Sequence, residues 1–340
     1  MWTTPLLLVG LCASACCASP FKASTGKEIS EGLAARSLPD SAFKTVYQFP
    51  DGHFAEKLAV RPDGSLLVTI IGAPEVWLVH PAKSEASVVY TFTGQGNSVL
   101  GITEYKPDVF AVAVGEFSVS EVSGKDGSWS IWSLDFSGGS VNATKITAIP
   151  AAKFLNGLTS LSSKGTVLAA DSAQGVVYRI DTATGTWSVA IDSAALKPNA
   201  SATYHLGVSG IHVHGPYLYF DNAGQSPLLG RFILSADGTS SESAEVIVED
   251  PTFPVNDKYY GFDDFTFDGS GNVWLATNPS KQIVKISPEG VATVEAGSLG
   301  DSTLQGCTSL QFGRTASDQN VLYVNVNGAG GKLVAVNTSG

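Results

Sequence analysis

The feature that most constrains this chain is a strand–turn–strand pattern that returns six times from about residue 54 onward. Each copy opens on a short apolar strand and a Gly- or Asp-containing turn, and further apolar strands follow. The first reads Glu56-Lys57-Leu58-Ala59-Val60, turns at Arg61-Pro62-Asp63-Gly64, then runs Ser65-Leu66-Leu67-Val68-Thr69 and Glu75-Val76-Trp77-Leu78-Val79. The third spans Asn156 to Asp181. The fifth is the cleanest, with Asp263-Asp264-Phe265-Thr266-Phe267-Asp268 followed by Gly271-Asn272-Val273-Trp274-Leu275. The first-strand apolar anchors Leu58, Ile102, Leu158, Ile211, Phe265 and Leu310 recur at intervals of 44 to 56 residues. A repeat of that length, with three or four strands and no helical periodicity between them, describes propeller blades. The expected fold is all-β, a six-bladed β-propeller.

The ends of the repeat suggest how the ring closes. The sixth copy, from Cys307 to about Asn337, is one outer strand short. Phe43-Lys44-Thr45-Val46-Tyr47-Gln48-Phe49, ahead of the first blade, alternates well enough to supply it. A ring closed by strands from both termini leaves no exposed sheet edge. The propeller is therefore placed over residues 43–340, and the polar, irregular residues 19–42 are read as a flexible leader. The segment from Phe117 to Trp132 is expected to lengthen the loops of the second blade.

Residues 1–18 read as a secretory signal: an apolar run from Pro5 to Cys12 precedes the small residues Ala13-Ser14-Ala15-Cys16-Cys17-Ala18, with cleavage after Ala15 or Ala18. The run is shorter than the roughly 20 residues that cross a bilayer, so no membrane association is expected. Of the four cysteines, only Cys307 lies far from this segment. It either pairs with Cys16 or Cys17, if they survive cleavage, or stays a small buried thiol. Asn142, Asn199 and Asn337 head acceptor sequons for glycosylation, whereas Pro279 disqualifies Asn278. These features place the chain outside the cell or in a secretory vesicle. A net charge of -11, dispersed along the chain, argues against nucleic acid as a partner. A closed ring needs no second subunit, so a monomer acting on small molecules is expected.

The sequence contains no G-x-S-x-G, no phosphate-binding loop, no G-x-G-x-x-G and no H-E-x-x-H. His212-Val213-His214 puts two imidazoles on one face of a strand, and they are read as ordinary hydrogen-bonded histidines. Propeller geometry is the better guide, because polar residues at the starts of innermost strands converge on the central channel. The candidates are Glu56, Lys57, Asn156, Ser209, Asp263 and Asp264, with Tyr259 and Tyr260 as walls beside the fifth blade. Such oxygens suit a hard cation such as calcium or, failing that, strand capping and channel water.

Several stretches resemble the senescence-marker/gluconolactonase-like propellers: Glu56 to Gly64, Asn156-Gly157-Leu158, Asp263-Asp264-Phe265, Gly271-Asn272-Val273-Trp274 and Thr308 to Arg314. The likeness runs over roughly residues 45 to 335, in the flavour of the fungal secreted branch. In hydrolytic members a blade-one Glu, an Asn-Gly asparagine and a penultimate-blade Asp hold a divalent metal, which maps onto Glu56, Asn156 and Asp263. This chain departs from the pattern, with Glu56-Lys57 where fungal relatives often show Glu-Asn and Ser209-Gly210 where they show Asn-Gly. A lysine ammonium there repels a divalent cation and competes for Glu56.

The fungal branch is also similar to the hetero-Diels–Alderases of tropolone sesquiterpenoid biosynthesis, secreted propellers that need no metal and join a quinone methide to a humulene-type alkene. The resemblance implies a biosynthetic pericyclase of meroterpenoid secondary metabolism, without cofactor. Lys57 is its expected catalytic hydrogen-bond donor, and Glu56, Asn156, Ser209, Asp263, Asp264 and Tyr260 are its expected substrate-binding residues. Two alternatives stand beside it. One is a lactonase holding Ca²⁺ or Zn²⁺ on Glu56, Asn156 and Asp263; the other is a non-catalytic propeller that binds a ligand at its mouth.

Overall fold

A computed structural model describes residues 38–161, 165–199, 204–224, 228–249, 261–278, 281–297, 302–328 and 330–339. Among them are six four-stranded antiparallel sheets, one small hairpin and two short 3₁₀ turns. The expected six-bladed propeller is the observed fold. The innermost strands are Phe54–Val60, Ser98–Lys106, Leu155–Leu161, Val208–His214, Phe262–Phe267 and Cys307–Phe312. All six anchors read from the sequence lie on them and are buried.

The second strand of each blade is sandwiched between its neighbours, which explains why it reads as continuous apolar sequence. Leu66–Ile71, Val109–Gly115 and Thr166–Asp171 are buried at every position. Outermost strands such as Glu85–Thr91 meet water on most of their length and read as mixed. Fully burying each large aliphatic or aromatic side chain contributes about 1.5–3 kcal/mol, so the inter-blade layers dominate the fold's stability. Turns between the first two strands follow one design in blades one and five. In the first, Gly64 at φ +83° lets the Arg61 N–H reach Ser65 O at 2.8 Å. In the other, Gly271 at φ +81° lets the Asp268 N–H reach Asn272 O at 3.0 Å. Only glycine adopts that left-handed backbone without cost.

Closure follows the expectation. Phe43–Gln48 pairs antiparallel with Lys332–Asn337, opposing Phe43 to Val336 and Gln48 to Lys332, and completes the sixth blade from the N-terminal side. Leu38, inside the segment read as leader, is buried in the same apolar cluster as Trp274 and Leu304, so the described end of that segment packs on the propeller. The expected signal, Cys16 and Cys17 lie outside the described residues. No helix among the described residues is long and apolar enough to cross a membrane.

Candidate active site

The candidate residues sit where they do because of a repeated irregularity. In every blade the pairing of the first two strands slips near the start of the innermost strand. The slips fall between Ala55 and Leu58, Val99 and Ile102, Leu155 and Leu158, Val208 and Ile211, Phe262 and Asp264, and Cys307 and Ser309. A bulge places an extra residue on one strand and re-aims its side chains. Strict alternation would send Glu56 and Lys57 to opposite faces; the bulge buries both, with 5% and 3% exposure. Asn156, Ser209, Asp263 and Thr308 occupy the equivalent slipped positions. Gly210 lies within this ring, and a Cβ there would meet Asp264 Oδ1 at 2.4 Å and Asp221 Oδ2 at 2.5 Å.

Above the ring opens a chamber of about 540 Å³, within the range of small-molecule sites. Its walls are mostly apolar: Phe54, Ile71, Phe117, Phe154, Leu206 and Phe262, with Val119 and Val122 at the rim. Phe117 and Phe154 pack with ring centroids 4.7 Å apart and planes tilted by 33°. The Phe117–Gly124 hairpin, the expected insertion of the second blade, supplies one wall. Trp129 pins it from behind, donating from Nε1 to Lys153 O at 2.8 Å. The polar floor is Glu56, Asn156, Ser209, Asp263, Asn278 and Thr308. Asn156 Nδ2 donates to Ser209 Oγ at 3.1 Å, and Ser209 Oγ donates to Asp263 O at 2.9 Å. Asn278 Nδ2 donates to Asp263 Oδ2 at 3.2 Å.

Beneath the floor the channel is blocked by an ion cluster. Lys57 Nζ lies 3.4 Å from Asp264 Oδ2, 3.6 Å from Glu56 Oε1 and 3.7 Å from Asp263 Oδ1. Asp264 Oδ1 also faces His212 Nε2 at 3.1 Å and accepts the Phe265 N–H at 2.9 Å. On the far side His212 lines a smaller depression of about 250 Å³ with Glu104, Gln311 and Arg314, at the opposite ends of the same strands.

One ammonium cannot neutralise the buried carboxyls of Glu56 and Asp264 and the half-buried one of Asp263, and the charges settle unequally. Burial pushes the Glu56 carboxyl up to about 8, outweighing the opposing pull of Lys57. Burial also raises Asp263, against Lys57 and the Asn278 amide. Asp264 goes the other way: burial is overcome by Lys57 and His212, and its carboxyl lies below the usual value. Burial opposes charge on Lys57, yet Asp264, Glu56 and Asp263 together hold its ammonium protonated far above the ordinary range. Asp221, behind Gly210, is raised well above the usual carboxylate value by burial and by Asp264. The floor thus presents to an aromatic chamber a Glu56 carboxyl that burial shifts toward its protonated form, over a Lys57–Asp264 ion pair.

The metal ligands implied by the resemblance do converge, since Glu56, Asn156 and Asp263 share one floor, and the buried Asn156 Oδ1 has no hydrogen-bond partner. Their common centre of negative charge is nevertheless taken by the Lys57 ammonium, so the residues present do not fit a divalent ion. Among the described residues no group of three His, Cys, Asp or Glu side chains is arranged to hold a metal.

No family model matches the chain. Among curated proteins it is 26% identical to a protein of Sarocladium schorii provisionally named hetero-Diels-Alderase asR5, over 87% of this chain and 80% of the relative. A Phoma protein, also provisionally named a hetero-Diels-Alderase, is 27% identical over 84% of this chain and 86% of its own. The chain resembles hetero-Diels–Alderases over most of its length. Among solved structures it shares its fold with XC5397 of Xanthomonas campestris, described as a gluconolactonase, at TM-score 0.60 and 13% identity, covering 87% of this chain and 88% of that one. Both sides of the resemblance read from the sequence are therefore found, the sequence likeness and the gluconolactonase-like fold.

The placement of the sequence candidates is uneven. Glu56, Asn156, Ser209 and Asp263 meet on the chamber floor as expected. Lys57, expected there as the hydrogen-bond donor, is not on the chamber surface; its ammonium faces the undersides of Glu56 and Asp263 and the Asp264 carboxylate. Asp264 is likewise beneath, bound to His212. The two strand histidines share a face as read: His212 bonds Asp264, and His214 stacks on Phe267 at 4.2 Å. Tyr259 and Tyr260 lie outside the described residues. Asn142 and Asn337 are exposed and Asn199 is half-buried. Cys307 is buried and pairs with no cysteine among the described residues, and its Sγ lies 3.1 Å from Thr277 O. The sequence reading missed Asn278, Asp221 and the phenylalanine walls. Asn278 follows a second strand, where no strand-start rule looks, and the phenylalanines come from several separate blades.

Proposed function

We propose that this chain is a hetero-Diels–Alderase that joins a quinone methide to a terpene alkene in the chamber above the ion cluster, without metal or cofactor. The observation that carries this reading is an apolar, aromatic-walled chamber whose polar floor places the buried Glu56 carboxyl, shifted by that burial toward its protonated form, where a reactant would lie. The names of its sequence relatives support the same class of reaction. The cycloaddition forms a C–C and a C–O bond together and needs no nucleophile or net proton transfer. Its rate depends on holding the two reactants in a near-attack pose, which apolar walls do well. Negative charge grows on the heterodiene oxygen in the transition state. A neutral Glu56 O–H aimed at that oxygen stabilises it, and one such donor contributes about 10²–10³-fold. Lys57 is a positioning residue in this account, holding Asp264 ionised and the floor in shape.

Hydrolysis by a metal-bound water would need a cation where the Lys57 ammonium sits. We propose further that the acidic chain carries a secretory signal and works as a monomer in a secretory vesicle or outside the cell, within meroterpenoid metabolism. The test is to generate a quinone methide in situ with a humulene-type alkene and follow the adduct by chiral chromatography. One enriched stereoisomer, formed saturably and lost in Phe154→Ala, is expected. A racemic adduct at the background rate would sink the reading.

A further inference from the structure

We propose that the depression at the far mouth of the channel is a second small-molecule site, which takes a neutral ring compound bearing one hydroxyl. Its walls are apolar, formed by Leu58, Val60, Ile102, Leu158 and Phe312 on four of the innermost strands. Its 250 Å³ or so is the room of about eight waters, enough for one ring and too little for a pair of reactants. Above it the channel narrows to about 10 Å³ beneath Lys57 and Asp264, so a ligand held there does not reach the chamber.

Two side chains of this depression keep a hydrogen-bonding group that no described residue meets. His212 Nε2 faces Asp264 Oδ1 at 3.1 Å, and the same oxygen accepts the Phe265 N–H at 2.9 Å. Lys57 and His212 hold Asp264 ionised. A carboxylate only accepts, so the ring proton sits on Nε2 and Nδ1 is a bare acceptor, without a partner among the described residues. Gln311 is oriented in the same way. Its Oε1 accepts the Thr266 hydroxyl at 2.9 Å, which leaves the Nε2 hydrogens as donors without a partner among the described residues. Both side chains line the depression and the narrowing above it. One acceptor and one donor on a single cavity match a hydroxyl, which donates to His212 Nδ1 and accepts from Gln311 Nε2. Charge argues for a neutral ligand. Asp264 pairs with Lys57 and Glu104 with Arg314, so nothing there offsets the cost of desolvating an ion.

The test uses the full chain carrying ¹⁵N-labelled histidine, with phenol as the probe. No cycloaddition enters it, so its outcome is independent of the proposed reaction. The His212 ring is identified by nuclear magnetic resonance through its contact with the Phe265 ring. Phenol is expected to move the His212 Nδ1 resonance saturably while Nε2 keeps its proton. Anisole has the ring but no O–H, and is expected to bind about tenfold more weakly. Gln311→Glu keeps the acceptor for Thr266 and replaces the donor with an oxygen, and should weaken phenol binding about tenfold. The comparison of phenol with anisole needs only the wild type, and decides the question if that variant does not fold. The proposal is overturned if phenol leaves the His212 Nδ1 resonance unmoved or if anisole binds as tightly. Undiminished phenol binding by folded Gln311→Glu also overturns it.

Discussion

Glu56 and Lys57 show how far residue chemistry can be read without coordinates. Their identities marked them as channel residues, but their division of labour depends on a bulge that no alternation rule reveals. Lys57 goes under the floor, and Glu56 stays on it with its carboxyl raised by burial. The account predicts that cycloaddition falls as pH rises through about 8, because the protonated carboxyl is the donor. Glu56→Gln keeps a neutral donor and should retain most of the rate while flattening that profile. Glu56→Ala should lose about 10²-fold in kcat; an unchanged pH–rate curve in Glu56→Gln would contradict the assignment. The same group makes a stability prediction. Its folded value lies above the unfolded one, so its contribution is full below about pH 4.5 and is lost as pH climbs toward 8. For Lys57→Met, a loss of about 3–5 kcal/mol is expected near pH 7 from stranding buried carboxylates. That loss should shrink at pH 5 as they take up protons, and urea unfolding at the two pH values checks it.

At the scale of elements, the strands were legible because burial on two faces writes continuous apolar runs and burial on one face writes alternation. The chamber was not, because its walls come from separated loops whose meeting depends on ring closure. The Phe117–Gly124 hairpin is the clearest case: its length was visible as an insertion, its role as a wall was not. Gly124 lies against Lys153 O and the Trp129 ring, and a Cβ there would approach them to 2.2 and 3.0 Å. Gly124→Ala should push the hairpin off its seat, costing about 1–3 kcal/mol and raising KM more than it lowers kcat. Thermal unfolding and steady-state kinetics read the two effects. Equal losses in both kinetic constants would place the hairpin in transition-state stabilisation instead of in substrate binding.

For the whole molecule, the repeat fixed both the blade number and the way the ring closes, since the sixth copy's missing strand and the unassigned strand before the first blade match. Val46 is buried at that seam while Thr45 faces water. Val46→Asp should therefore destabilise the propeller by about 3–5 kcal/mol, and Thr45→Asp by no more than about 0.5 kcal/mol, as chemical denaturation would show. The central claim is that a closed ring, plugged by its own ammonium, runs a metal-free cycloaddition in the chamber above. Its most direct test is the rate and stereochemistry of adduct formation by protein exhaustively dialysed against chelator, with metal content measured alongside. Undiminished formation of one stereoisomer by metal-depleted protein is the predicted result; activity that vanishes on dialysis and returns with a divalent ion would contradict it.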